Sequence, residues 1–242
     1  MARQLHGLKS FPNFDAGRRC KRLYCSLTFT CLFWSLSRPA LLADEYARVS
    51  RHSARLFSYG TLILDTRVGD IRIEGWDEPR LEVEAETVVR ASSEKKAQRL
   101  YDRVKIQIEG GDKEVRVRTV YPPRRFWRPF RAESKLSVNF RIKMPFDANL
   151  VLTCVDGDVR VRGIVGEERL RVNYGDVEID VPSVYRLRSL KARTWVGYVQ
   201  SDLHGEENAG LRPRLTFWNP SGSQDITVQV RLGGVFVYSA QD

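Results

Sequence analysis

The chain has 242 residues, 42% of them apolar and 10% aromatic, which is enough to bury a real core, and its formal charge is +10. Seven of its 40 Lys/Arg side chains and one of its 30 acids fall within residues 1–43, so the remaining body holds 33 basic and 29 acidic residues. A body charge of only +4 argues against a phosphate-tracking, nucleic-acid-binding protein, and neither a Gly-rich phosphate loop nor a Gly-x-Ser-x-Gly nucleophile elbow is present.

Residues 1–43 have the order of an export signal: a basic stretch ending GRRCKR, an apolar run from Leu23 to Leu36, then PALLA before Asp44. The run has 14 residues, short of the ~20 that span a bilayer, so cleavage after Ala43 is expected and residues 44–57 read as a linker. Cys20, Cys25 and Cys31 lie in this leader. Cys154 alone remains in the body, which precludes an internal disulfide, and its place in the alternating run Leu150-Val151-Leu152-Thr153-Cys154 predicts a buried, inert thiol.

From Leu56 onward strand signals dominate. Leu62–Leu64, Ile71–Ile73, Leu81–Ala85, Val104–Ile108 and Val115–Arg118 mostly alternate apolar with charged residues, the period of a strand with one wet face. Glu109-Gly110-Gly111-Asp112 between the last two predicts a hairpin turn. A single helix is expected near residues 92–103, where SSEKKAQRLY lacks alternation and opens on a serine that could cap it. Leu136–Ile142 and Leu150–Leu152 follow as strands on either side of a turn that contains Pro145.

The second half is repetitive. Gly-Asp-Val/Ile-x-Val/Ile occurs at Gly69-Asp70, Gly157-Asp158 and Gly175-Asp176, with looser echoes at Gly197 and Gly233. The spacings 157 to 175, 175 to 197 and 197 to 233 are 18, 22 and 36, the last being twice the first, which suggests stacked coils of short strands. Each glycine would supply a turn conformation that other residues resist, each aspartate would bond the turn backbone, and each Val/Ile pair would face inward. The predicted fold is all-β: a β-solenoid-like or sandwich-like stack of short strands with one helix.

Leu64-Asp65-Thr66-Arg67-Val68-Gly69-Asp70-Ile71-Arg72-Ile73-Glu74-Gly75-Trp76, then Met144-Pro145, the two Gly-Asp-Val units and the ending Gly233-Gly234-Val235-Phe236-Val237-Tyr238 resemble the bacterial "putative adhesin" family, a β-strand-repeat domain of unknown function. The resemblance covers residues 58–240. It implies an exported or envelope-associated protein and supplies no catalytic residues.

Asp158 and Asp176 are the candidates for an acid pair, because stacking in register would put them about one strand spacing, roughly 4.8 Å, apart. Parallel β-helix enzymes use stacked carboxylates for acid–base work or Ca²⁺ binding on acidic polysaccharides, which makes such an enzyme the alternative reading. Turn chemistry is the reading preferred for Gly69, Asp70, Gly157, Asp158, Gly175 and Asp176. The binding candidate is the loop Pro122–Arg131, where Arg124, Arg125, Arg128 and Arg131 alternate with Phe126, Trp127 and Phe130, a mixture suited to anionic sugars, lipid headgroups or a protein partner. Trp195, Tyr198, Phe217 and Trp218 are weighed as a sugar-stacking platform against filling the core or capping a solenoid end, and the latter two are preferred. His52 and His204 lie 152 positions apart without clustered ligands, so no metal and no cofactor is expected.

The sequence therefore predicts a non-enzymatic envelope or surface protein, located in the periplasm, on the outer surface or secreted. Its expected partners are an envelope component, glycan or protein, with self-association through exposed strands and no nucleic acid. Membrane contact is expected only through an uncleaved leader or the basic aromatic loop.

Overall fold

The computed structural model describes residues 44–121, 136–203, 205–208 and 212–239. The leader 1–43, the arginine-aromatic loop at 122–131 and His204 lie outside them. The first half comprises β1 (Asp44–Arg55), β2 (Thr61–Val68), β3 (Ile71–Trp76), β4 (Arg80–Ala91), α1 (Glu94–Tyr101), β5 (Lys105–Gly111), β6 (Glu114–Val120) and β7 (Leu136–Pro145). The second half comprises β8 (Asn149–Asp156), β9 (Val159–Arg162), β10 (Glu168–Tyr174), β11 (Val177–Val181), β12 (Leu187–Val196) and β13 (Val199–Ser201). It ends with β14 (Glu206–Asn208), β15 (Arg214–Trp218), β16 (Gln224–Leu232) and β17 (Val235–Ser239).

Two mixed sheets hold these strands. The first runs β1-β4-β7-β3-β9-β11-β17-β13 and the second β14-β15-β12-β16-β10-β8-β2-β6-β5. Five strands of the second sheet, β2, β8, β10, β12 and β16, each turn a corner at a glycine and continue as a strand of the first: β3, β9, β11, β13 and β17. The paired strands of successive units are parallel. Alternation does the rest: Leu62, Leu64, Leu150, Leu152, Leu170, Val172, Val228 and Val230 from the second sheet are buried in one cluster with Ile71, Ile73, Val159, Val161, Val177, Ile179, Val235 and Val237 from the first. Burying a side chain of this size stabilises the fold by about 1.5–3 kcal/mol, so the stacked units share most of their stability.

The all-β expectation with one helix is met, and four details differ. Residues 44–57, read as a linker, contribute β1, which pairs antiparallel with β4 along its whole length from Asp44↔Ala91 to Arg55↔Arg80. Its side chains are largely exposed, so it shows little of the half-buried alternation that marks a strand. The helix is one turn shorter than expected, and Ser93 at its N-cap makes no side-chain cap bond. The β5–β6 hairpin turns at Asp112-Lys113, with Asp112 at φ 53°, while Gly110 and Gly111 stay in β5. The units also do not stack in sequence order. The Gly233 unit lies between those of Gly175 and Gly197, because the 36 residues after Gly197 include an excursion through β14, the edge strand, and β15 beside it rather than two further coils.

Candidate functional site

The five glycine corners lie side by side in the order 69, 157, 175, 233, 197, each beside the backbone of the next. The aspartates that follow them form a ladder. Asp158 N–H donates to Asp70 Oδ1 (3.2 Å), Asp176 N–H to Asp158 Oδ1 (2.9 Å), and Gly234 N–H to Asp176 Oδ1 (2.6 Å). The backbone bonds of the same corners run parallel to this ladder, with Val159 N–H donating to the Asp176 carbonyl at 2.9 Å and Val177 N–H to the Gly234 carbonyl at 3.0 Å. Each carboxylate thus binds the amide of the neighbouring corner, the turn chemistry expected of a Gly-Asp pair, extended from within a turn to between turns.

Two members of the ladder escaped the sequence reading. Asp70 N–H donates to Asn139 Oδ1 (3.1 Å), so the first rung is an asparagine in β7. The signal was present: Asn139-Phe140-Arg141-Ile142 aligns with Asp70-Ile71-Arg72-Ile73 once the glycine is given up, and the Phe140 N–H donates to the Asp70 carbonyl (2.8 Å). At the other end Gly234 carries no carboxylate, so the ladder stops there.

Asp158→Asn keeps an Oδ1 acceptor, and its thermal midpoint is expected to stay within about 2 °C of the parent. Asp158→Ala removes the acceptor and should cost about 1 kcal/mol, a fall of about 2–4 °C read by thermal unfolding. Equal midpoints for the two variants would remove the rung from the account.

Beside the Asp70 end of the ladder is a cleft of about 610 Å³, lined by Glu45, Arg67, Asp70, Arg90, Asn139 and Tyr174 among others. Asp158 and Asp176 do not line it. Both described flanks of the arginine-aromatic loop reach this end of the molecule: Leu136 lines the cleft, and the Tyr121 hydroxyl donates to the carbonyl of Val68, another lining residue, at 3.0 Å. Sequence reasoning missed the cleft because Glu45 and Arg90 come from β1 and β4, strands distant in the chain from the repeats.

The aromatic candidates divide. Phe217 packs against the core, whereas Trp195, Tyr198 and Trp218 are exposed. The Arg212 guanidinium covers Trp195 at 4.3 Å from its ring centroid, and Tyr198 meets Phe236 edge to face at 5.2 Å. Cys154 is buried, and burial pushes its thiol up to about 12. Among the described residues no three His, Cys, Asp or Glu side chains are grouped to hold a metal ion, and no helix is long and apolar enough to cross a membrane.

A "putative cell adhesion protein" from Clostridium sporogenes superimposes on 80% of this chain and 100% of its own, with TM-score 0.52 and 13% identity. The chain has that protein's fold. A solved bacterial protein with a similar description thus shares the all-β fold expected from the Gly-Asp repeats. A "putative adhesin" from Bacteroides fragilis also matches over 80% of this chain and 97% of its own, at 10% identity and TM-score 0.25. No protein-family model and no curated protein matches the sequence.

Proposed function

We propose that this is an exported, non-enzymatic surface or envelope protein that binds its partner through the arginine-aromatic loop and the cleft at the Asp70 end. The supporting observation is the arrangement at the Asp70 end. The two described flanks of the loop, Tyr121 and Leu136, come together at a cleft whose walls carry both charges and an exposed tyrosine. Guanidinium groups and aromatic rings together suit an anionic or amphipathic partner. The ladder supports the non-enzymatic part of the reading, because Asp158 and Asp176 are each committed to a neighbouring amide and neither faces the cleft. The leader and the adhesin-like fold support export to the cell surface.

Deleting residues 122–131 is expected to abolish retention on a washed cell-envelope fraction, measured by co-sedimentation, while circular dichroism and the thermal midpoint stay unchanged. Retention of the deletion variant at the parent level would exclude the loop as the contact.

A further inference from the structure

Charge is arranged differently on the outer face of the first sheet and on the β12–β16–β10 part of the second, whose β2–β6 part pairs Arg118 with Asp65 at 3.5 Å. On the first sheet, cations and acids from neighbouring strands neutralise one another: Arg160 pairs with Glu178 at 2.9 Å, Arg162 with Glu178 at 3.3 Å and Asp180 at 2.9 Å, and Arg141 with Glu84 at 3.5 Å. On the second sheet, the parallel registers of β12, β16 and β10 build a three-by-three lattice instead. Lys191, Thr227 and Arg169 form one row, and Arg193, Gln229 and Arg171 the next. The flanking pairs Thr194↔Val230 and Val172↔Val230, then Val196↔Leu232 and Tyr174↔Leu232, put Trp195, Arg231 and Asn173 in the third.

Five of these nine residues are cations and none is an acid. Among the described residues, acids stand only beyond the lattice edges. Asp225 is held by Arg188, and Glu167 pairs with Arg169 at 2.7 Å. On the far side, the edge strand β14 places Glu206 in register with Thr216 of β15. Arg171, Lys191, Arg193 and Arg231 have no carboxylate within ion-pair distance among the described residues, and all four are exposed. Arg193 is moreover directly opposite Arg214 of β15. Like charges directly opposite on one face destabilise a sheet; the first sheet also has such a row, Arg141-Arg72-Arg160, but Glu84 and Glu178 close it at its two ends, whereas Gln229 and Asn208 flank the Arg193–Arg214 pair.

We infer that this face of β10, β16 and β12 is a binding surface for a linear acidic polysaccharide. The cations recur about every 6.6 Å along a strand and about 10 Å across two strands, in one plane, so an extended chain of uronate units can meet several at once. The residues between them, Thr227, Gln229 and Asn173, with Thr153 in register beside Arg171, carry hydroxyl and amide groups suited to sugar hydroxyls. The same polar filling leaves little apolar area for insertion into a bilayer. Trp195, at the margin, has its ring covered by Arg212 and is not open to stack on a base. The inference rests on the surface-binding reading for access to such a polymer, but uses a different part of the molecule.

The test uses the full chain and sodium polygalacturonate in titration calorimetry, with dextran as the neutral control. Phosphatidylglycerol–phosphatidylcholine vesicles and a DNA duplex are the other anionic arms. The parent is expected to bind polygalacturonate and not dextran. Arg171→Ser with Arg193→Ser should weaken binding by about tenfold or more, while Arg160→Ser with Arg162→Ser, the same charge removed from the neutralised face, should change it by less than about twofold. Circular dichroism should show both pairs folded, because the first removes repulsion and the second only exposed ion pairs. Absence of binding by the parent, equal losses in the two double variants, or tighter binding of vesicles or duplex through the same arginines would overturn the inference. Deletion of 122–131 should leave polygalacturonate binding within about twofold, so the loop reading, judged by envelope retention, stands or falls separately.

Discussion

Replacing Gly157 by alanine is expected to lower the unfolding free energy by about 3 kcal/mol or more, one of the largest losses available to a single methyl group in this chain. Gly157 has φ 147°, a conformation that residues with a side chain rarely adopt. A Cβ there would press into the carbonyl oxygen of Gly69, far inside van der Waals contact. The obstacle is backbone and not a flexible side chain, and that backbone is fixed: Gly69 N–H donates to the Asp156 carbonyl at 2.9 Å and Asp158 N–H donates to Asp70 Oδ1. Relief therefore means spreading two adjacent units of both sheets. For a domain of about 200 residues the loss corresponds to about 6–12 °C in thermal midpoint. Gly111→Ala is the control, since a Cβ there meets nothing within 4 Å, and it should move the midpoint by no more than about 2 °C. A Gly157→Ala midpoint within that range would mean that the corners do not limit how closely the units stack.

What the sequence disclosed and what it hid follow from the same feature. Period-two alternation with a glycine at one end is local, and it marked β2, β3 and β8 and the inward Val/Ile pairs of β9 and β11, while Leu170-Arg171-Val172 of β10 carries the same signal and escaped the sequence reading. Which unit lies beside which is a non-local matter. Val177 of β11 pairs with both Val159 and Val235, yet those partners are 18 and 58 positions away, and alternation alone does not distinguish 233 from 197 as the next neighbour. The edge strand β1 was hidden for a different reason: its side chains are mostly exposed, so nothing selects a two-residue period. At the candidate sites the Gly-Asp pairs were legible because turn chemistry is carried within two residues. The cationic lattice was not, since Arg171, Arg193 and Arg231 come together only through the register of three strands.

Glu168 gives the second large effect, and it is expected to appear as a pH dependence. The alternation Glu168-Arg169-Leu170-Arg171-Val172 turns this carboxyl inward with Leu170 and Val172, between Leu150 of β8 and Ile226 of β16. It is 1% exposed, and burial raises its pKa from the ordinary carboxylate range to about 8. Gln224 Nε2 donates to Glu168 Oε1 at 3.2 Å and to the Ile164 carbonyl at 3.0 Å, while Glu168 Oε2 and Gln224 Oε1 are buried acceptors with no donor. A proton on the carboxyl supplies a donor in a place that has two acceptors to spare. Below about pH 4 both the folded and the unfolded chain hold that proton, and the site contributes its full stability. As pH rises toward 8 the unfolded chain ionises first, so stability falls by about 1.4 kcal/mol per pH unit. Above the folded-state value of about 8 both states are charged and the loss is complete. Glu84 and Asp225 have the opposite sign. Their carboxyls are held below the ordinary range chiefly by hydrogen bonds from Arg51 and Arg188, so their contribution is present above about pH 4 and lost as pH falls further. Among the shifted carboxyls of the described residues, the window from pH 5 to 8 therefore isolates Glu168. Glu168→Gln, which carries its own donor and no charge, is expected to raise stability at pH 8 by roughly 3 kcal/mol in urea titrations. At pH 4.5 it should change stability by less than about 1 kcal/mol, because the folded parent is then neutral and the unfolded chain only about half ionised at this carboxyl. Parent and variant curves that run parallel from pH 5 to 8 would show that this carboxyl reaches solvent or a cation in the folded protein, and that its burial does not shape the stability of the core.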